Sequence, residues 1–260
     1  QMIRGLGFLA DPEEIHDAEL VAWNVNGLPG ISMARGQGAD SFSWRPHVAS
    51  IPDQLNSSSC VGQAMASSLE LLGHIKGNPI PRPSAQAIYA IARLLAAPQK
   101  PLFDVGCSPS RAIEGMREHG LVAEKWLPFD VARINDPPPW DVFQRGFDAM
   151  LAQHYRYAPG MGAAANTRSA IRAGYVPTFA MTVDESYSAY DGSDVYRVAN
   201  GRVLGRHMQC VVGYGEDYFE VLNSWGEGWG DRGFARISSA FLESSAVTSW
   251  IVPTSLPLVS

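Results

Sequence analysis

Between Arg206 and Gly230 the chain carries two short strand-forming runs, a tight turn between them, and then a burst of glycine and tryptophan. Met208–Tyr214 and Tyr218–Leu222 are rich in aliphatic and aromatic residues, and Gly215-Glu216-Asp217 separates them, which predicts a β-hairpin. His207 stands just before the first strand. Asn223 stands just after the second and opens the run Asn223-Ser224-Trp225-Gly226-Glu227-Gly228-Trp229-Gly230. A hairpin brings its two open ends together. Cross-strand pairing can therefore bring the His207 imidazole close to the Asn223 amide.

The two halves of the sequence have different periods. From Cys60 onward Val61, Ala64, Met65, Ser68, Leu69 and Leu72 recur at helical steps, and Gly77 and Pro79 mark a stop. A second helix is expected from near Ser84, with Ala85, Ile88, Tyr89, Ala92 and Leu95 on one face. A third has Ser108 as its cap and Pro109 at its first position, and ends at His119-Gly120. Short helices are expected over 141–149 and 167–173. Strands are then expected at Val176–Val183, Val195–Val198, the two hairpin runs and Gly233–Ile237. Helices first and strands second predict an α+β protein of two lobes with a cleft between them. At 260 residues, 46% hydrophobic, the chain can bury a core of that size.

Residues 1–42 read as a weakly structured lead. Asp11-Pro12-Glu13-Glu14 suggests a helix start, and Leu28-Pro29-Gly30 and Gly36-Gln37-Gly38 suggest turns. Two readings stand: a strap packed on the surface, or a strap that crosses the cleft and regulates it. The domain proper is expected over 43–260, with the helical lobe at about 50–160 and the β lobe at about 161–250.

The His–Asn pair calls for a nucleophile, and Cys60 supplies one. A thiol attacks a carbonyl only as thiolate, so the site must lower its pKa from about 8.5. The unpaired N–H groups and positive end of a helix do this, and Cys60 opens a predicted helix. An imidazolium at His207 would do the rest, held in one orientation by the Asn223 side-chain carbonyl. Trp225 can shield that hydrogen bond from water. Gln54, six positions before Cys60, can direct its amide N–H to a developing oxyanion, with the Cys60 N–H as the second donor.

Charge and cysteine usage narrow the field. A net charge of −6 argues against nucleic acid and anionic membrane as partners. No apolar run approaches the ~18 residues of a membrane helix, and Gln1–Gly5 lacks the pattern of a secretory signal. Three cysteines, Cys60, Cys107 and Cys210, are too few for a disulfide framework, and no zinc-site spacing occurs. Neither metal nor organic cofactor is expected. Cys107 and Cys210 read as buried thiols, and thiol-only usage fits the cytoplasm.

These residues resemble the papain family of cysteine peptidases. Gln54 and Cys60 match its oxyanion glutamine and nucleophile. His207, Asn223 and Trp225 match its general base, orienting asparagine and tryptophan shield. The run Val212-Gly213-Tyr214-Gly215 through Gly233-Phe234 is similar to its C-terminal signature. Pro83–Tyr89 and Asp104-Val105-Gly106 through Phe129 are similar to the bacterial and phage branch, which lacks a long propeptide. The resemblance implies a papain-like fold with an antiparallel, barrel-like second lobe. It also implies a monomeric endopeptidase that acts on protein or peptide through an acyl-enzyme, with a low pKa at Cys60. The same residues could serve another acyl transfer, such as deamidation or transglutamination, or persist in a non-catalytic binding protein. The chain departs from the family at Val61, where an aromatic is usual, and at Ser57, where many members have cysteine. It departs again at Ser108-Pro109-Ser110, near the family's substrate-binding glycines. Met208, Ser108 and Pro109 are the expected substrate-binding walls beside Trp225.

Overall fold

The structure is a computed structural model that describes residues 5–10, 41–98, 101–145, 154–156 and 159–253. Its α-helices in chain order are α1 (Cys60–Ile75), α2 (Ala85–Ala96), α3 (Pro109–His119), α4 (Trp140–Gln144), α5 (Ala163–Arg172), α6 (Glu185–Ser188) and α7 (Ser239–Leu242). The strands are β1 (Phe42–Ser43), β2 (His154–Arg156), β3 (Thr178–Asp184), β4 (Val203–Tyr214), β5 (Tyr218–Leu222), β6 (Phe234–Ser238) and β7 (Val247–Pro253). The α+β architecture expected from the change of period is the one observed: three long helices come first and an antiparallel sheet follows.

The helical lobe is assembled by caps and a buried axle. Ser84 and Ser108 accept from the backbone N–H three residues on and so start α2 and α3. Such a cap contributes about 1 kcal/mol. Helix α1 is buried over nearly its whole length, with Val61, Met65, Leu69 and Leu72 in the core. Its other side lies on the sheet. The Cys210 thiol donates to Ala64 O (3.0 Å), and Ser68 Oγ donates to Val176 O (2.7 Å). The helix that carries Cys60 is thereby fixed to the strand that carries His207.

The sheet runs β2-β7-β3-β4-β5-β6, with β1 paired to the far end of β4. All of these pairings are antiparallel. The hairpin register sets Cys210 opposite Leu222, with an irregularity between Val211 and Gly213. Asn223 therefore emerges just past the end of β5, beside the part of β4 that bears His207.

Several elements differ from the sequence expectation. Val195–Val198 forms no strand; Tyr196 makes only an isolated parallel bridge to Ile237. Its hydroxyl is held by Asp184 and Ser186, so side-chain bonds anchor this loop. The helix expected over 167–173 begins earlier, at Ala163. Glu243 Oε1 accepts from the backbone N–H groups of Gly162 and Ala164, a cap contributed from 80 residues further along the chain. β4 starts five residues before the expected Met208 because Val203–His207 pair with β3. The helix expected over 141–149 is observed as Trp140–Gln144 and is capped at Arg145; 146–149 lie outside the described residues, as does Asp11–Glu14.

Candidate active site

Residues 52–54 join the two halves of the site. Gly226 N donates to Pro52 O (3.0 Å) and Gln54 N donates to Ser224 O (2.9 Å), with Asp53 bridged to Trp225. This short antiparallel ladder ties the approach to Cys60 to the residues that follow Asn223. It also fixes the Gln54 side chain, which is fully buried. Gln54 Oε1 accepts from Ser224 Oγ (2.6 Å), leaving Nε2 to donate to Ser57 O (2.8 Å) and to Gly5 O (2.9 Å).

Cys60 is the first residue of α1 and is fully buried. Backbone N–H groups of Met208, Gly7, Val61 and Cys60 itself reach its sulfur. Contact with Met208, the residue after His207, places the nucleophile against the β lobe. His207 Nε2 bonds to Asn223 Oδ1 (2.7 Å). That oxygen can only accept, so Nε2 carries the proton. Ser224 N donates to the same oxygen (2.7 Å) and locks the amide orientation. His207 Nδ1 is thus the free basic nitrogen, with no partner among the described residues. The Trp225 ring stacks on His207 at 4.6 Å between centroids and 26° between planes. Trp229 stands edge-on to Trp225 at 5.1 Å, and Tyr187 lies at 5.9 Å.

The electrostatics run against the sequence expectation of an acidic thiol. Burial pushes the Cys60 thiol up to about 11, although the four N–H donors pull the other way. Burial also pushes His207 down to about 4, against the bond from Asn223. Both shifts favour the uncharged form, and their common physical cause is exclusion of water.

Residues 5–9 contribute to that exclusion. Gly5 N donates to Leu55 O, and Gly5 O sits on the Gln54 amide. Gly7 N reaches the Cys60 sulfur, and Gly7 O accepts from Cys107 N (3.0 Å). Phe8 N donates to Arg206 O (3.4 Å) and Leu9 N to Cys107 O (3.1 Å). Phe8 forms a parallel bridge with Cys107 and is buried. The approach is so close that a Cβ on Gly5 would meet Ser57 O at 1.7 Å, and one on Gly7 would meet Ser58 O at 1.8 Å. Only glycine can occupy either place.

Gln54, Cys60, His207, Asn223 and Trp225 thus come together, and buried Met208 offers its backbone N–H beside them. Ser108 and Pro109 stand next to the cleft as the cap and first residue of α3. The peptide in the cleft is paired by Cys107, one residue earlier, which sequence reasoning read only as a buried thiol. Sequence reasoning also missed Ser224 and the Gly5-Leu6-Gly7 seat, whose two close-set glycines were the available signal. None of the three cysteines is disulfide-bonded. Among the described residues no group of three or more His, Cys, Asp or Glu is placed to hold a metal, and no helix is long and apolar enough to cross a membrane.

Comparison with known proteins yields a match to the family model "Papain family cysteine protease" over residues 38–251. A cathepsin B-like protein of Giardia intestinalis is 43% identical over 63 residues, 22% of this chain and 21% of that protein. A probable cysteine protease of Arabidopsis thaliana is 33% identical over 91 residues, 33% of this chain and 24% of that protein. These matches therefore span about a quarter or less of the relatives' own length. An uncharacterised peptidase C1-like protein of Acanthamoeba polyphaga mimivirus is 25% identical over 226 residues, 80% of this chain and 70% of that protein. Among solved structures, xylellain, a cysteine protease from Xylella fastidiosa, superposes with a TM-score of 0.74 at 20% identity, covering 97% of each chain. A procathepsin B of Trypanosoma congolense gives 0.71 at 19% identity, covering 96% of this chain and 86% of that one. At these identities the two structures speak for the fold.

Proposed function

Since the chain belongs to the papain family of cysteine proteases, we propose that it is a cysteine endopeptidase held latent by its own residues 5–9. The observation that carries the activity is the convergence of five side chains. The Cys60 sulfur lies at the start of α1 against the N–H of Met208, next in the chain to the His207 that Asn223 orients, and buried Gln54 presents its Nε2 to the peptide in the cleft. With a substrate carbonyl where Gly5 O now sits, Cys60 transfers its proton to His207 Nδ1 and the thiolate attacks the carbonyl carbon. Gln54 and the Cys60 N–H hold the oxyanion. His207 returns the proton to the leaving amine, giving the acyl-enzyme, and then deprotonates the water that hydrolyses it.

Residues 5–9 occupy this place without being a substrate. The carbonyl on Gln54 belongs to Gly5, whereas the group on the sulfur is the Gly7 N–H. The nucleophile meets a donor rather than an electrophilic carbon. Residues 1–42 are on this reading a regulatory strap. The motifs shared with the bacterial and phage branch favour an origin there, and three unbridged thiols favour a reducing compartment. Peptide or protein is the partner, bound by a monomer, with no role for nucleic acid or membrane.

Product analysis tests the activity. Incubation with peptides and excess primary amine is expected to release free carboxylate fragments; amine incorporation without release would identify a different acyl transfer. Gln54→Ala is expected to lower kcat by about 10²–10³ with a smaller effect on KM, the usual cost of one oxyanion donor. A loss confined to KM would show that Gln54 only binds ground-state substrate.

A further inference from the structure

At the end of α1 opposite Cys60, two histidines from distant parts of the chain meet. His47 closes the short 3₁₀ turn Arg45–His47, and His74 stands in the last turn of α1. His47 Nδ1 lies 3.1 Å from His74 Nε2, with the ring centroids 5.1 Å apart and the planes tilted by 41°. Both side chains are exposed. A neutral imidazole has one donor and one acceptor nitrogen, so one facing nitrogen carries a proton and the other a lone pair. Moving that proton to the outer nitrogen of its own ring leaves two lone pairs at the contact. Two ligands of one tetrahedral zinc ion, each about 2.0–2.1 Å from it, stand about 3.3 Å apart. The separation of His47 and His74 is already close to this.

Both backbones are held. Trp44 N donates to Val212 O (2.7 Å) and His47 N donates to Trp44 O (2.8 Å), which pins the turn to β4. The Trp44 ring packs on His47 at 5.7 Å. On the other side, Gly77 N donates to His74 O (3.1 Å) and closes the end of α1. Ligands held this way lose little further freedom when an ion binds.

The surroundings suit a hydrated cation. A cavity of about 190 Å³ is lined by the pair together with Ser50, Ser67, Glu70 and Pro79. A water takes roughly 30 Å³, so the waters that complete a metal's coordination have room. His74 sits at the C-terminal, negative end of the α1 dipole. Glu70, one turn earlier, shares Arg82 with Glu124: Arg82 Nη1 lies 2.7 Å from Glu70 Oε2, and Arg82 Nε lies 3.0 Å from Glu124 Oε2. Two carboxylates on one guanidinium leave negative charge in excess. Lys76 gives its ammonium to Ala173 O (2.9 Å) and to the face of Tyr175.

We propose that His47 and His74 form a binding site for a divalent transition-metal ion of the zinc type, completed by water. Neutral imidazole is the ligand such ions favour. The site is separate from the chemistry and independent of the peptidase reading: His74 lies about 20 Å along α1 from Cys60, at 1.5 Å per residue. An ion there clamps the turn that leads toward Gln54 onto the helix that begins with Cys60. It is a stabilising ion, open to exchange.

The test uses the full chain carrying Cys60→Ala, so that the reactive thiol takes no metal. Zn²⁺ is titrated in competition with a chromophoric chelator. One ion per chain is expected to bind, and His47→Ala and His74→Ala are each expected to weaken it tenfold or more. With Zn²⁺ at a hundred times its Kd, Tm is expected to rise by about 5 °C, and this rise should vanish in the double variant. Without metal the variants should melt close to the parent, since both side chains are exposed. No saturable binding below about 0.1 mM overturns the site. So does affinity that stays within threefold of the parent in either single variant, or a Tm rise that survives in the double.

Discussion

Cys60→Ala is expected to lower peptide hydrolysis by about 10⁴–10⁶-fold while the protein stays folded, since removing one member of a nucleophile–base unit costs nearly the whole of its contribution. The size follows from the chemistry. Covalent attack needs the sulfur, and the Cys60 sulfur is the one reached by the N–H of Met208, the residue next to the oriented His207. Cys210 donates to Ala64 O inside the α1–β4 contact, and its thiol is pushed up to about 12 by burial. It cannot substitute. The exchange removes one atom from the first turn of a helix fixed along its length, so melting temperature and circular dichroism should change little. Activity measured as fragment release under saturating peptide gives the answer. Residual turnover within tenfold of wild type would place the chemistry elsewhere.

Gly7→Val should act in the opposite direction. A Cβ at Gly7 would lie 1.8 Å from Ser58 O, a fixed backbone atom, so the segment must leave its seat. Two consequences follow together. The Gly5 carbonyl leaves Gln54, freeing its Nε2 for a substrate oxygen. Water reaches Cys60, whose thiol burial holds at about 11. A thiol with that pKa carries on the order of 10⁻⁴ thiolate at pH 7, against a few per cent for an ordinary cysteine. Alkylation at neutral pH is therefore expected to accelerate about a hundredfold or more. The sign is fixed by the direction of the shift. In the parent chain reactivity rises only as pH approaches the raised thiol value, and unseating the segment moves that rise toward neutral pH. Imidazolium at His207, which burial suppresses to about 4, regains its ordinary range in the same step and stabilises the thiolate. Iodoacetamide labelling of Cys60 followed by peptide mapping across pH reads both effects. Unchanged rates would mean that residues 5–9 do not control access.

The parts of this arrangement legible in the sequence are those set by short-range pattern. The small and apolar residues after Cys60, the serine caps at Ser84 and Ser108, and the hairpin around Gly215 each follow a local rule, and each appears where the rule puts it. His207 and Asn223 meet because the hairpin between them fixes both ends. What escaped was long-range. Tyr196 looked like part of a strand, yet its hydroxyl is spent on Asp184. Ser224 looked like a spacer, yet it grips the Gln54 oxygen from 170 positions away. The cleft occupant lay in plain view as Gly5-Leu6-Gly7. Nothing in its local pattern states that Ser57 O and Ser58 O leave no room for a Cβ. The expected low thiol pKa failed for the same reason: it assumed an open, wet cleft, and these residues close it.

The most direct measurement compares kcat/KM on one peptide for the full chain and for a chain lacking residues 1–40, each beside its Cys60→Ala counterpart. The account expects the shortened chain to be at least about tenfold faster, with both activities lost on Cys60→Ala. Equal rate and affinity with and without residues 1–40, or hydrolysis that survives Cys60→Ala, would contradict it.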